Sequence, residues 1–237
     1  MRNIEIYYEQ IRPLIIWLGL LELAWTGSWL LGALSGGTGY IAITVVWMIS
    51  TFAWMVAAIS MAKKGIYLKF SSHFSNLLGF LFVISYSVVL FASTDVGRSG
   101  LLLAASQASD SEMVAFHTLR LLAIGTIIKY RQGQLPLHFL ILGSVPDFLF
   151  ALSAVVIVVI GTNVSLDSDF LILWHCIGIG VFFGAGISMF FSVPSPIRIS
   201  HNKPDSRLTF EFPMVLAPNF TVPLFALAHM FALAKLA

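Results

Sequence analysis

Long apolar runs recur along the whole chain, from Pro13 to Leu236, and this repetition restricts the fold more than any other feature of the sequence. Each run approaches the roughly 20 residues with which an α-helix crosses the hydrocarbon core of a bilayer. Only 10% of the residues are charged, whereas 58% are hydrophobic. The core of a water-soluble domain accounts for one or two such runs, but not for so many. We therefore expect an all-α, polytopic integral membrane helix bundle.

The apolar runs predict seven transmembrane helices in a single transmembrane domain that covers residues 1–237. The fourth is the weakest because it contains His117 and Arg120, and it could instead be an amphipathic helix on the membrane surface. The first run could also be read as a signal peptide, but Glu22 interrupts it and no cleavage site of small residues ends it. The predicted spans are 13–35, 40–62, 76–94, 113–130, 136–161, 169–192 and 213–236.

The distribution of basic residues supports a crossing by the fourth segment. Lys and Arg gather on the cytoplasmic side of membrane proteins. With seven crossings and the N-terminus inside, the outer face holds only Arg98 and Lys235, and the asymmetry largely vanishes if the fourth segment does not cross. The inner face then holds Arg2, Arg12, Lys63, Lys64, Lys69, Lys129, Arg131, Arg198, Lys203 and Arg207. We expect a cytoplasmic N-terminus and an outer C-terminus, in the inner membrane of a bacterium.

Composition also limits the partners of the chain. Its main partner is expected to be the lipid bilayer. The formal net charge of +2 gives no indication of nucleic-acid binding. The single cysteine, Cys176, excludes an internal disulfide.

Three charged residues fall near the middle of the predicted spans: Glu22 in the first, Arg120 in the fourth and Asp147 in the fifth. A charge at that depth costs several kcal/mol unless it is paired or hydrated. Arg120 with one of the two carboxylates is expected to form an ion pair that holds the bundle together. The other carboxyl would then lack a partner and carry a proton, which makes it a candidate proton site or an anchor for a cationic ligand.

A second polar layer lies nearer the outer side. His117, His175 and His229 share one depth on the fourth, sixth and seventh spans. Three imidazoles at one level could bind zinc, copper or iron, and two could hold a haem. The spacing gives no local metal motif, because each histidine lies on a different helix. Hydrogen bonding between helices is the alternative interpretation.

Two helices contain residues that interrupt regular α-helix. In the fifth span, Gly143 and Pro146 precede Asp147, and in the seventh, Pro218-Asn219 and Pro223 lie in the cytoplasmic half. Broken helices with a polar residue at the break occur at the binding sites of transporters. Asn219 is therefore a candidate ligand-binding residue beside the three charged ones. Proline kinks without such a role are also common.

The small-residue pattern Gly180-Val-Phe-Phe-Gly184 permits close contact between helices. Packing within one bundle is the simpler interpretation, and a homo-oligomer formed through the Gly180/Gly184 face is the alternative.

The passages that carry a family resemblance lie in the C-terminal half and are Arg120, residues 129–139, Pro146-Asp147, residues 216–223 and His229. They resemble an uncharacterised family of bacterial polytopic membrane proteins. The resemblance singles out Arg120, Asp147 and His229 as candidate site residues, but it implies no activity. The seven-helix plan also invites comparison with the progestin/adipoQ receptors and alkaline ceramidases. Their last helix carries a His-x-x-x-His motif that this chain lacks, because Phe225 stands four residues before His229.

The sequence leaves three functions open. The first is transport or binding of a small solute or ion, with proton coupling through Glu22 or Asp147 and with Arg120 as the counter-charge. The second is a membrane-embedded metal or haem enzyme, or an electron carrier, that uses the three histidines. The third is a non-catalytic subunit or sensor in which the ion pair is structural.

Overall fold

The computed structural model describes residues 2–33, 37–69, 74–161, 167–193, 198–201 and 203–236, with side chains from residue 15 onward except those of 74–76. Within this part of the chain the regular structure is entirely helical. Six helices are long and apolar enough to cross a membrane, or seven if one bent pair of helices forms a single span. The predicted all-α, multi-pass fold class is confirmed. The orientation with N-terminus in and C-terminus out stays a prediction.

The eight principal helices follow the predicted spans closely. They are α1 (Arg2–Gly32), α2 (Gly37–Lys63), α3 (Phe74–Ala92), α4 (Asp95–Gln107), α5 (Asp110–Arg131), α6 (Leu137–Gly161), α7 (Ser168–Ser192) and α8 (Ala217–Leu236). Two short helices, Ile66–Lys69 and Ser206–Phe210, lie between them. The first helix starts well before residue 13, and the last starts at residue 217, because turns occupy the positions from 212 to 215.

The third span is followed by a further helix, α4, which the apolar runs did not predict. The axes of α3 and α4 form an angle of 105° across Ser93 and Thr94. Thr94 caps α4 by accepting a hydrogen bond from the Gly97 amide at 3.0 Å. Gly100 brings α4 directly onto α2, since a Cβ there would lie 2.1 Å from the ring of Tyr40. The segment is thus a packed helix.

Helix α5 begins with a capping box formed by Ser109 and Glu112, in which each side chain bonds the backbone amide of the other. The end of α8 is attached to this point, because Lys235 donates to Asp110 at 2.6 Å and to the Ala108 carbonyl at 2.7 Å. The two predicted outer groups Asp110 and Lys235 therefore lie together.

The two predicted helix interruptions are π-helical segments, Leu140–Ser144 in α6 and Ala217–Thr221 in α8. The first lies against α7, where a Cβ at Gly184 would be 2.3 Å from the Leu142 carbonyl oxygen. Gly184 therefore serves packing inside the bundle, whereas Gly180 faces open space. A homo-oligomer through the Gly180/Gly184 face stays a prediction.

Candidate functional site

A buried ion pair between α5 and α6 is the centre of the site. Nε and Nη2 of Arg120 both lie 2.6 Å from Oδ1 of Asp147. The Arg120 side chain is fully buried, and that of Asp147 is 25% exposed. The guanidinium lies between two aromatic faces, with Cζ 4.4 Å from the Phe150 ring centre and 4.3 Å from that of Phe182. Charge pairing and cation–π contacts together offset the desolvation of Arg120.

Local helix geometry aligns His117 with Arg120. The middle of α5, His117–Ala123, is a 3₁₀ segment. Residues three apart share a face in an α-helix, and in a 3₁₀ helix they lie directly above one another. The two side chains therefore project to the same side of α5, and both are buried.

A chain of hydrogen bonds joins the ion pair to two histidines. Nη1 of Arg120 lies 3.1 Å from Nε2 of His229, and Nδ1 of His229 lies 2.8 Å from Nδ1 of His175. An arginine can only donate, so Nε2 of His229 accepts and its proton is on Nδ1. That proton is donated to Nδ1 of His175, which places the proton of His175 on Nε2. The ion pair thus fixes the tautomers of both rings.

His117 completes the cluster without a hydrogen bond. It is fully buried, and neither of its ring nitrogens has a hydrogen-bond partner within the part of the chain that the structure describes. Its ring stacks on that of His229, with centres 3.8 Å apart and an angle of 13° between the planes. One nitrogen from each of His117, His175 and His229 lies within 4.8 Å of the others. The structure therefore brings together the three histidines that sequence analysis placed at one depth.

Gly178 makes room for this arrangement on α7. A Cβ at this position would lie 2.3 Å from Cε1 and 2.4 Å from Nε2 of His229, and 2.6 Å from the Phe150 ring. Since His175 and Gly178 are three residues apart, they lie on one face of α7. That face provides the imidazole of His175 and, at Gly178, the space that the ring of His229 occupies.

Glu22 lies apart from the ion pair. Its side chain is fully buried in α1, and neither carboxyl oxygen has a hydrogen-bond partner among the described residues. An aromatic wall stands between α1 and the histidines, because the Phe116 ring centre is 5.7 Å from that of Trp25 and 5.7 Å from that of His117. Arg120 is therefore the partner of Asp147, and Glu22 is the carboxyl that has none.

Asn219 also lies outside the charged cluster. Its side-chain oxygen accepts a hydrogen bond from the Tyr67 hydroxyl at 3.2 Å, and its Nδ2 donates to the Val215 carbonyl at 3.0 Å. Its own carbonyl accepts from the indole of Trp54 at 2.8 Å. A Cβ at Gly79 would lie 1.7 Å from Oδ1 of Asn219. These contacts join α8 to α2, α3 and the short helix Ile66–Lys69.

A cavity of about 450 Å³ lies beside the ion pair, on the far side of Phe182. The π-helical segment of α8 contributes Ala217 and Pro218 to its wall, and Phe139, which precedes the π-helical segment of α6, also lines it. Its lining is mostly aromatic and aliphatic. Phe182 lines this cavity and also covers the Arg120 guanidinium.

Sequence analysis missed the aromatic enclosure of the site. Phe150 follows Asp147 by three residues, and Phe182 follows His175 by seven, so helical spacing places each on the face of a candidate site residue. Trp174 stacks on Phe150, with ring centres 4.3 Å apart, and contacts His117 at 5.6 Å. The positions of Phe150 and Phe182 at the site could therefore have been predicted from their spacing. The contacts of Trp174 with Phe150 and His117 could not, because they depend on how the helices pack.

These features define a class of protein, a bundle of membrane-spanning helices in which a buried ion pair is joined to a cluster of three histidines. Residues 75–237 match the profile of a family described as a domain of unknown function, DUF8737, and the chain belongs to that family. The expectation of an uncharacterised family is confirmed, and the match begins well before Arg120, where the resemblance began. No curated protein and no solved structure matches the chain.

Proposed function

We propose that this protein binds one transition-metal ion inside the bundle, between the imidazoles of His117, His175 and His229. The observation that carries the proposal is the meeting of three buried imidazoles from three helices, with one nitrogen of each within 4.8 Å of the others. His175 and His229 bond to each other, but no described residue hydrogen-bonds to either nitrogen of His117. Leaving a buried polar group unpaired costs about 1–3 kcal/mol, and a metal ion would supply the missing partner.

The spacing of the nitrogens fits a single ion. Bonds from imidazole to zinc are about 2.0–2.1 Å long, so two nitrogens on one ion are at most about 4.2 Å apart. Two nitrogens on one ion are also at least about 3.3 Å apart, so the Nδ1 atoms of His175 and His229, now 2.8 Å apart, would separate by about half an ångström. His117 would turn out of its parallel stack on His229, so that one of its nitrogens points at the ion. Arg120 occupies Nε2 of His229 and leaves Nδ1 directed at His175, 2.8 Å away. An ion would take the place of the proton that these two Nδ1 atoms share.

The same spacing favours an ion over a haem. A haem held by His175 and His229 would separate their nitrogens by the two axial bonds, whereas these atoms are in hydrogen-bond contact. The rings around the cluster are aromatic, including Phe150 and Trp174. The cavity of about 450 Å³ is not lined by any of the three histidines. This enclosure favours a structural, storage or electron-transfer site over a hydrolytic one.

Elemental analysis of the purified protein tests the proposal. Wild type grown with added transition metals is expected to hold about one ion per chain, and the single variants His117→Ala, His175→Ala and His229→Ala are expected to lose it. His201→Ala is the matched control, because His201 is exposed and lies outside the cluster. Equal metal content in wild type and all three cluster variants would refute the proposal.

We further propose that the chain forms one domain in the inner membrane of a bacterium, with the N-terminus in the cytoplasm. The six or seven apolar helices and the gathering of Lys and Arg on one face support this placement. Reaction of single cysteines with an impermeant reagent tests the orientation. A cysteine introduced at exposed Arg98 should react from outside, and one at exposed Lys64 should not.

A second candidate is the passage of a small solute or ion, and the cavity beside the π-helical segment of α8 favours it. Phe182 would then separate this cavity from Arg120 and Asp147. Flux into proteoliposomes should fall in Asp147→Asn and rise when Phe182→Ala opens the cavity towards the ion pair. Absence of flux in wild type, or flux unchanged by both variants, would exclude this candidate.

A further inference from the structure

The proposed metal site has features that select one ion over the others. We infer that it is a three-coordinate site for monovalent copper, formed by His117, His175 and His229. This inference rests on the proposed function, because it names the ion that the same site binds.

The first feature is the number of donors. Among the described residues, the group of side chains able to hold a metal contains these three histidines and no carboxylate or thiolate. The nearest aromatic neighbours of His117 are Phe116, Trp174 and Phe225, with ring centres 5.6–5.8 Å away. None of them offers a lone pair to a metal. Zinc is almost always four-coordinate in proteins, so it would require a fourth donor that the enclosure lacks.

The second feature is charge. Asp147 neutralises Arg120, and imidazole binds a metal in its neutral form, so the site has no net negative charge to offset a cation. The cost of burying an ion in a low-dielectric medium rises with the square of its charge. The desolvation cost of a divalent ion is therefore about four times that of a monovalent one. It is also repelled twice as strongly by Arg120, whose Nη1 lies 3.1 Å from a ligand ring.

Both features point to the same ion. Copper is a metal that imidazole binds well. Its monovalent form is satisfied by two or three donors in a linear or trigonal arrangement, and it needs no bound water. Monovalent copper thus fits three neutral nitrogens in an aromatic enclosure, whereas a divalent ion lacks both a fourth ligand and a counter-charge.

Metal-free protein in detergent, titrated under anaerobic conditions with copper(I) and with zinc(II), tests the inference. We expect one copper(I) per chain, competed out by a copper(I)-specific chelator, with zinc bound at least about tenfold more weakly. X-ray absorption should show three nitrogen ligands. His117→Ala should lower the affinity for copper(I) by more than about 100-fold, since even outer-shell changes cost about 10–100-fold. His201→Ala should leave it unchanged.

The outcomes separate the inference from the proposed function. A single zinc or iron ion with a fourth oxygen ligand, lost in His117→Ala, would overturn the assignment to copper and leave the metal site standing. Copper(I) bound equally by wild type and His117→Ala would overturn the assignment, because the bound ion would lie elsewhere. Binding of neither metal to folded wild type would overturn both. Circular dichroism and gel filtration of each variant show whether a loss reflects the site or the fold.

Discussion

Replacing Gly178 with alanine is the sharpest structural test of the site, because the new methyl group would enter the space of a histidine ring. The added Cβ would lie 2.3 Å from Cε1 of His229, whereas ordinary contacts begin near 3.4 Å. His229 would have to move by about 1.1 Å. It bonds to Arg120 at 3.1 Å and to His175 at 2.8 Å, so such a movement takes at least one bond beyond hydrogen-bond range.

The magnitude follows from these two effects. Overpacking of a core costs about 1–3 kcal/mol, and loss of a hydrogen bond to a charged group costs about 1.5–3 kcal/mol. We expect Gly178→Ala to lower the free energy of unfolding by about 3 kcal/mol. For a chain of this length, each kcal/mol shifts the melting temperature by about 2–4 °C, so the expected decrease is about 6–12 °C.

The assay is thermal unfolding in detergent, together with the metal content of the purified variant. Gly180→Ala is the matched control, because Gly180 lies on the same helix and a Cβ there meets no atom within 4 Å. We expect the control to keep its melting temperature and its metal. Equal melting temperatures for Gly178→Ala and Gly180→Ala would refute the packing of His229 against α7 and with it the geometry of the site.

Three further variants probe the other polar groups. Arg120→Ala should lower the stability by about 3 kcal/mol because it leaves Asp147 buried without its partner, and the double variant with Asp147→Asn should recover much of the loss in thermal unfolding. Glu22→Gln should change the melting temperature by no more than about 4 °C, since it removes no bond, and a large decrease would show that the carboxyl is ionised and paired. Gly79→Ala should cost about 1–3 kcal/mol by displacing Asn219, yet leave the metal content of the protein unchanged.

Sequence analysis predicted the helices well because a bilayer imposes a length and a composition on every span. It also predicted the third span closely, but not the sharp turn after Ala92 from α3 into α4. The signals for that turn are local. Thr94 is an N-cap residue, and Gly97 follows it where a Cβ would lie 2.4 Å from the Phe91 carbonyl oxygen. Hydropathy alone does not contain this information.

The depth of the polar residues was predictable, but their partners were not. Counting residues along each span placed Glu22, Arg120 and Asp147 at one level. Depth does not determine which helices are neighbours, so the choice between the two carboxylates required the packing of the bundle. The structure pairs Arg120 with Asp147. The common face of His117 and Arg120 follows from their spacing of three residues, whereas the 3₁₀ segment that aligns them more closely has no recognisable sequence signal.

The position of the site has a consequence for the stability of the bundle. Apolar helix faces gain little by leaving lipid for one another, so helices in a bilayer associate through close packing and polar contacts. Here Arg120 comes from α5, Asp147 from α6, His175 from α7 and His229 from α8, and all four helices lie within the residues that match the family.

The polar contacts that hold these four helices together are therefore the residues of the proposed metal site. Loss of metal binding after removal of one of these side chains is consequently ambiguous, because the helices lose a contact at the same time. A metal site predicts more than packing does, namely that the bound ion itself stabilises the bundle. Metal removal should lower the melting temperature of wild type and leave that of His117→Ala unchanged. This comparison is informative because the packing lost in His117→Ala is the same with and without metal, so the change on metal removal within each protein reports the bound ion alone.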